Sequence, residues 1–422
     1  MSLYGAMQTA VSGLNAQSQT LAIISDNIAN SSTTGYKTTT ASFSTLVTQQ
    51  TGTTSYASGG VSVTGVQAVS EQGLIEATSS NTDLAIDGEG FFVVTNADGE
   101  YFYTRDGQFQ VDDEGYLKTV DGYYLMGYEL DANGDPVGGN TNDLSSLSRI
   151  NVEDVTGTAR ATETVELEAN LPADAIVGDT YDTTVQVFDS LGVAQNLELT
   201  WQKTNTNEWS LNVADPTSPQ DSTVTTGTTT GGPYTVTFNN DGSLDTVTPA
   251  LDITVTGWTS GAADSTISFD IGTPGTADGL TQFSSDDGAP DIQLYGIEQD
   301  GARYGQMSSV EIDDDGRVTA NFDNGETTEI YEIPLATFPN ANGLQKHSGN
   351  VYSATTESGA YLLSEAGEAG AGTIAASALE ASTVDIADEF TRMIVAQEAY
   401  SAASRVITTS DEMMDELINM VR

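Results

Sequence analysis

The sequence predicts a mainly β protein with α-helical termini, in which nested β-domains are carried on a coiled-coil-like pair of end helices. Helical periodicity at the two ends is the first observation behind this. Leu3, Met7, Ala10, Leu14, Gln17, Leu21, Ile24 and Ile28 recur at spacings of four and three. So do Ile386, Phe390, Met393, Gln397, Tyr400, Ser404, Ile407, Asp411, Met414, Ile418 and Val421. This is the 3.5-residue seam of helices packed lengthwise. The second observation is the long middle of the chain, where alternating runs rich in Thr and Val are separated by Gly- and Asp-containing turns. Charge is the third. Of a formal −49, residues 1–30 carry −1 and residues 384–422 carry −5, leaving −43 on the middle. The segments expected to pack tightly are nearly neutral, and repulsion is displaced to parts that can lie further apart in water.

With 12 basic residues against 61 acidic ones, nucleic acid is excluded as a natural partner, because phosphate contacts need a basic surface. An anionic membrane surface is disfavoured for the same reason. The absence of cysteine removes disulfides, thiolate metal sites and thiol nucleophiles. No apolar run approaches the roughly 20 residues that span a bilayer, so no membrane insertion is expected. The basic start and apolar stretch of a cleavable secretory signal are also missing.

Residues 1–30 form the expected N-terminal core helix, free of Pro and with Asp26 as its single charged side chain. A helix so poor in charge is better surrounded by protein than by water. It stops at Asn30, where Asn and Gly supply the turn chemistry of Ser31 to Gly35. Residues 31–65, rich in Thr, Ser and Gly, read as a linker or extended arm. Residues 66–148 alternate through Leu84 and Ile86, then through Phe102, Phe109, Val111 and Leu117, with turns at Asn96–Gly99, Asp112–Gly115 and Asp121–Gly122. Residues 150–287 differ in character. A hairpin is expected where Val185 and Val187 pass through Asp189-Ser190-Leu191-Gly192 into Leu197, Leu199 and Trp201. This segment reads as an inserted outer β-barrel or sandwich. Residues 290–365 resume the strand-and-turn pattern of 66–148 and complete a discontinuous inner β-domain with it. Residues 378–422 read as the C-terminal core helix, with Ser382 or Thr383 as N-cap.

No catalytic constellation emerges. His347 is the only histidine and sits in a loop sequence, Lys346-His347-Ser348-Gly349. Gly88-Glu89-Gly90 lacks the third glycine of a dinucleotide fingerprint and opens a strand. Asp131, Asn133 and Asp135 start like a calcium loop, but Pro136 and Asn142 stand where glycine and a bidentate glutamate belong. No enzyme activity, cofactor or metal site is expected.

Several strings resemble those of the bacterial flagellar rod and hook protein family. They are Ala29-Asn30 followed by Gly35-Tyr36-Lys37; Asp83 to Val94, containing Asp87, Gly88, Gly90, Phe91 and Phe92; Tyr103 to Phe109; Ile333 to Asn340; and Leu379-Glu380 through Leu417. Glu398 departs from the pattern, since a basic residue is expected after Ala396-Gln397. Phe43 and Val47 resemble the family's candidate export motif. The large insertion favours hook-type members. The resemblance implies a structural subunit of the extracellular flagellum, exported through the flagellar type III apparatus without signal cleavage. Its self-assembly would give a curved, flexible tube that joins rod to filament and transmits torque. The implied partners are further copies of itself and the rod, hook-cap and hook–filament junction proteins, with the Leu3–Ile28 and Ile386–Val421 seams as assembly surfaces. A straight rod-type subunit and a secreted β-rich adhesin with a helical stalk are the alternatives.

Overall fold

A computed structural model describes residues 3–46, 59–131, 134–137, 142–153, 157–285 and 290–420. It is mainly β, with one helix at each end: α1, Leu3–Ala29, and α2, Ile386–Met420. The chain divides into two compact units. Unit 1 comprises Met1–Val155, Val310–Ala320 and Thr328–Arg422; unit 2 comprises Thr156–Ser309 and Asn321–Thr327.

In unit 1, β1 (Thr39–Thr45) and β2 (Val61–Gln67) pair antiparallel, with Phe43 opposite Val63. Of the stretch expected as a linker or extended arm, residues 47–58 lie outside the described residues, and residues 39–45 and 61–65 are part of a two-stranded ribbon. It lies on α1 because buried Asn27 matches the ribbon's backbone: its Nδ2 donates to the Thr39 carbonyl at 2.8 Å and its Oδ1 accepts from the Thr39 amide at 3.1 Å. Further along, the Val61 amide donates to Ser12 Oγ at 3.2 Å. Hydroxyls of Thr9, Ser12, Thr20 and Ser25 on α1 are satisfied within the helix. Thr20 donates to the Ala16 carbonyl and Ser25 to that of Leu21, which lets an almost uncharged helix sit in protein surroundings.

The remaining strands of the first segment are β3 (Ile75–Ala77), β4 (Leu84–Asp87), β5 (Phe91–Thr95), β6 (Tyr101–Thr104), β7 (Phe109–Val111), β8 (Leu117–Thr119) and β9 (Tyr124–Glu129). Strand β5 is central, paired with both β6 and β9, and all five of its residues are buried. Its Phe91 and Val93 meet Tyr103, Met126 and Tyr352 in one core, while Phe92 stacks edge-on against Phe109 at 5.8 Å on the other face. Residues returning after unit 2 close the sheet: Val351–Ser353 pairs with β6, Leu335–Thr337 with β5, and Tyr331 and Glu332 with β9.

Unit 2 is a β-sandwich. Among the described residues, one sheet carries Thr180–Phe188, Ala194–Asn205, Glu208–Val213 and Tyr234–Phe238, and the other Thr164–Asn170, Asp252–Thr256 and Ser265–Asp270. Ala194–Asn205 shows why: its side chains alternate between core and solvent, placing Gln195, Leu197, Leu199, Trp201 and Lys203 inside. Inner residues of both sheets form a single core around Trp201, Trp209 and Trp258. The expected hairpin at Asp189–Gly192 joins Thr180–Phe188 to Ala194–Asn205.

The C-terminal helix begins later than the sequence suggests. Ala378–Glu380 is a strand paired with β3, and α2 starts at Ile386. Asp385, rather than Ser382 or Thr383, caps it, its Oδ1 accepting from the amides of Ala387 at 2.8 Å and Asp388 at 3.2 Å. Thr383 instead ties the segment to the stretch that follows α1, its amide donating to the Tyr36 carbonyl at 3.1 Å and its Oγ1 accepting from the Thr38 amide at 2.9 Å.

Candidate functional site

The residues that hold the chain ends to the sheet converge on one buried carboxylate, that of Glu380. Three strings distant in sequence reach it. Asn30 ends α1, with its amide and its Nδ2 both donating to the Asp26 carbonyl. The chain then turns at Gly35, whose φ of +65° favours glycine and whose absent Cβ would lie 2.8 Å from the Asp106 nitrogen. This close approach lets the Gly35 amide donate to the Glu380 carbonyl at 2.8 Å. Two residues on, Lys37 enters the interior and its Nζ pairs with Glu380 Oε1 at 2.5 Å, both side chains being fully buried. The same Nζ also donates to the Glu71 carbonyl.

The second string arrives from β4, β5 and β6. Arg105 follows β6 and places Nη1 3.3 Å from Glu380 Oε2, while its Nη2 donates to the Gly88 carbonyl at 2.8 Å. Its guanidinium stands 5.2 Å from the Phe91 ring centroid. Gly88 has φ +116° and packs against Gly372, and the Gly88 amide and Asp87 carboxylate both bond the Gln72 side chain. Gly90, with φ +129°, leaves room for Leu335, and Phe91 and Phe92 fill the two faces of β5. The Gly73 amide completes the carboxylate's shell, donating to Oε1 at 2.6 Å. Burial pushes the Lys37 ammonium below its ordinary value, and the Glu380 charge opposes that shift; Arg105 follows the same pattern. Tyr36, the neighbour of Lys37, is held by its hydroxyl donating to Asn27 Oδ1 at 3.2 Å, with its ring lying under Lys346 Nζ at 4.2 Å.

From this junction the two helices run back antiparallel, the end of α1 beside the start of α2. On α1, Ala10 and Ile24 of the expected seam are buried, Met7, Leu14, Leu21 and Ile28 are half-buried, and the Leu3 side chain lies outside the described residues. On α2 the inward face is Glu389, Ala396, Ala403 and Ser410, joined by half-buried Met393 and Ile407. The other expected apolar seam positions, Ile386, Phe390, Tyr400, Met414 and Ile418, are exposed, and Val421 lies outside the described residues. At 100° per residue, exposed apolar residues flank the inward face on both sides: Ile386, Phe390 and Ile394 on one, Val395, Val406 and Met413 on the other. Residues 411–420 are exposed throughout.

A cleft of about 410 Å³ opens between α1, β1 and α2, walled by Ile23, Ile24, Phe43, Glu389, Val395 and Ala396. Phe43 stands half-exposed at its edge; Val47 lies outside the described residues. His347 bonds Ser353 Oγ at 2.8 Å and packs edge-on against Phe102. Among the described residues, no cluster of carboxylates and histidines could hold a metal ion, and no helix is long and apolar enough to cross a membrane. Asp131 and Asp135 form a turn closed by the Asp135 amide on Asp131 Oδ1 at 3.0 Å, and Asn133 lies outside the described residues.

The Glu380 junction escapes sequence reasoning because its partners are 343 and 275 residues away. One signal does point to it: Lys37 is the only charged residue in 27–70 and Glu380 the only one in 369–384, whereas Arg105 stands beside Asp106 and is not singled out.

Fold and junction together define a helix-ended structural protein with both chain ends fixed to one β unit. Family models match four segments: Flagella basal body rod protein over 7–37, Flagellar hook protein FlgE/F/G D1 domain over 85–170, Flagellar basal body protein FlaE D2 domain over 157–302, and Flagellar basal body rod FlgEFG protein C-terminal over 375–420. The flagellar hook proteins FlgE of Rhizobium meliloti and Escherichia coli K12 are 38% and 34% identical, covering 100% and 98% of this chain and 100% of each relative. The chain belongs to the flagellar hook protein family. A solved structure of the Helicobacter pylori flagellar hook protein FlgE2 overlays with a TM-score of 0.48 at 15% identity, covering 72% of this chain and 100% of that one.

Proposed function

We propose that this chain is the self-assembling structural subunit of the flagellar hook, and that it polymerises through its end helices into a curved, flexible tube. The tube joins rod to filament and transmits torque. The observation that carries this reading is the apolar surface left open on α2. Ile394 and Ile418 are 61% and 60% exposed, and residues 411–420 are exposed along their whole length in the single chain. A helix with apolar residues on three sides is built to be surrounded.

The buried Lys37–Glu380–Arg105 cluster fits a torque-bearing role, because it ties that helical surface to the sheet. In this reading the rod, hook-cap and hook–filament junction proteins contact the same end-helix surfaces at the tube's limits. The subunit leaves through the flagellar type III apparatus without cleavage, with Phe43 and Val47 as its docking pair, and works outside the cell. The test is electron microscopy of material assembled from the full chain. Curved tubes are expected, and straight rods or persistently monomeric protein would refute the reading.

A further inference from the structure

The cleft between α1, β1 and α2 contains one polar atom with nothing to bond. Glu389 is 2% exposed; its Oε1 meets Arg392 Nη1 at 3.1 Å, and its Oε2 is buried without a hydrogen-bond partner. A buried carboxylate oxygen left unpaired is costly and calls for a donor. Within the chain the supply of cations is small and nearly spent. Among the described residues Lys37, Arg105, Arg160, Arg303, Arg317 and Arg392 are in ion pairs. Lys118, Arg149, Lys203 and Lys346 stack on rings or bond carbonyls. Among the described residues, Arg405 alone is an exposed cation whose side chain makes no such contact.

Both groups stand on α2, sixteen residues apart. At 1.5 Å and 100° per residue, this places Arg405 about 24 Å along the helix and roughly 160° around it from Glu389. The two cannot meet within one copy. An acceptor on one face and its complement on nearly the opposite face form a head-to-tail contact, the kind that propagates instead of closing. The cleft suits the side chain in question. Arginine would lay its aliphatic stem along Ile24, Val395 and Ala396 and carry its guanidinium to the carboxylate.

We propose that in the assembled polymer Arg405 of a second copy enters this cleft and pairs with Glu389 Oε2. This rests on the proposed function, in which the chain polymerises. It adds a specific contact and an axial stagger of about 24 Å between neighbouring α2 helices if they run parallel.

The chain has no cysteine, so full-length Glu389→Cys and Arg405→Cys variants can be mixed, polymerised on wild-type seeds and treated with a short bismaleimide. The expected product is a cross-linked dimer of the two variants in the polymer, absent from dispersed monomer and from either variant alone. Polymer lacking that product overturns the proposal, as does preferential linking of residue 389 to an apolar position such as Ile394→Cys. As a second measurement, Glu389→Gln and Arg405→Gln should each raise the critical concentration for assembly about tenfold, with the double variant no worse than either single. Additive losses would refute the pairing. Failure of wild-type chain to assemble at all would instead refute the proposed function.

Discussion

Replacing Glu380 by alanine removes the one anion that two buried cations share. Lys37 is fully buried and the Arg105 side chain is 5% exposed, so neither can recover its hydration without opening the fold. Breaking a buried pair from one side costs about 3–5 kcal/mol, because the remaining charge is left uncompensated. Here Lys37 keeps its bond to the Glu71 carbonyl and Arg105 its bond to the Gly88 carbonyl, so a value of about 4 kcal/mol is expected. For a unit of this size that is a fall in melting temperature of roughly 10 °C. The assay can separate the two units, because Trp201, Trp209 and Trp258 all lie in unit 2. Far-UV circular dichroism of the full chain should show the unit 1 transition moved down while the tryptophan-detected transition stays put. Hydrogen exchange should quicken at the amides of Gly35 and Gly73. A combined Lys37→Met, Arg105→Met, Glu380→Leu variant should regain most of the loss, since a well-packed apolar set often replaces a buried ion cluster at little cost. A Glu380→Ala transition within about 1 kcal/mol of wild type, or an equal shift at the tryptophans, would refute the reasoning.

Glu332 carries a pH dependence. Burial, with Glu365 adding repulsion, pushes its carboxyl from 4.5 up to about 7, and its Oε1 has no partner. The folded chain then binds more protons than the unfolded one between those values, so this group's contribution to stability falls as pH rises through 4.5 to 7. Glu332→Gln should remove on the order of 3 kcal/mol of that slope relative to wild type, read by urea midpoints across the range; identical slopes in both proteins would reject it. Gly35→Ala must adopt positive φ and crowd the Asp106 amide, so unit 1 should lose about 2 kcal/mol or more by the same melts, and an unchanged midpoint would sink the argument. Ile394→Asp should leave monomer melting within about 0.5 kcal/mol, because the side chain is exposed, yet abolish sedimentable polymer. Polymer formed at wild-type yield would count against α2 as an assembly surface.

Much of this architecture is legible in the residues, and the limits have physical causes. Period-two alternation from Ala194 to Asn205 and the glycines at Gly99, Gly115 and Gly122, all at positive φ, mark strands and turns locally. Ala378-Leu379-Glu380 has helix-forming composition, yet it is a strand because β3 offers it a partner and Glu380 is held at the junction. The inward face of α2 is harder to read for another reason. A line drawn through large apolar residues leads to Phe390 and Tyr400, whereas the helices approach through Ala396, Ala403 and Ser410, whose small side chains permit close packing. Heptad spacing alone does not choose between such lines. The junction itself depends on contacts between residues hundreds of positions apart, which no local pattern encodes.

That separation orders events in time. A chain is made from its N-terminus, so Lys37 exists long before the carboxylate it needs, and closing a loop of 343 residues carries an entropy cost that only the finished interior offsets. Until residue 380 is delivered, β3 lacks its strand partner and the charges of Lys37 and Arg105 remain unmatched. The last tenth of the polypeptide thus acts as a completion signal: a chain cut short of residue 380 keeps every residue of the unit 2 sandwich but lacks the carboxylate that closes the lock.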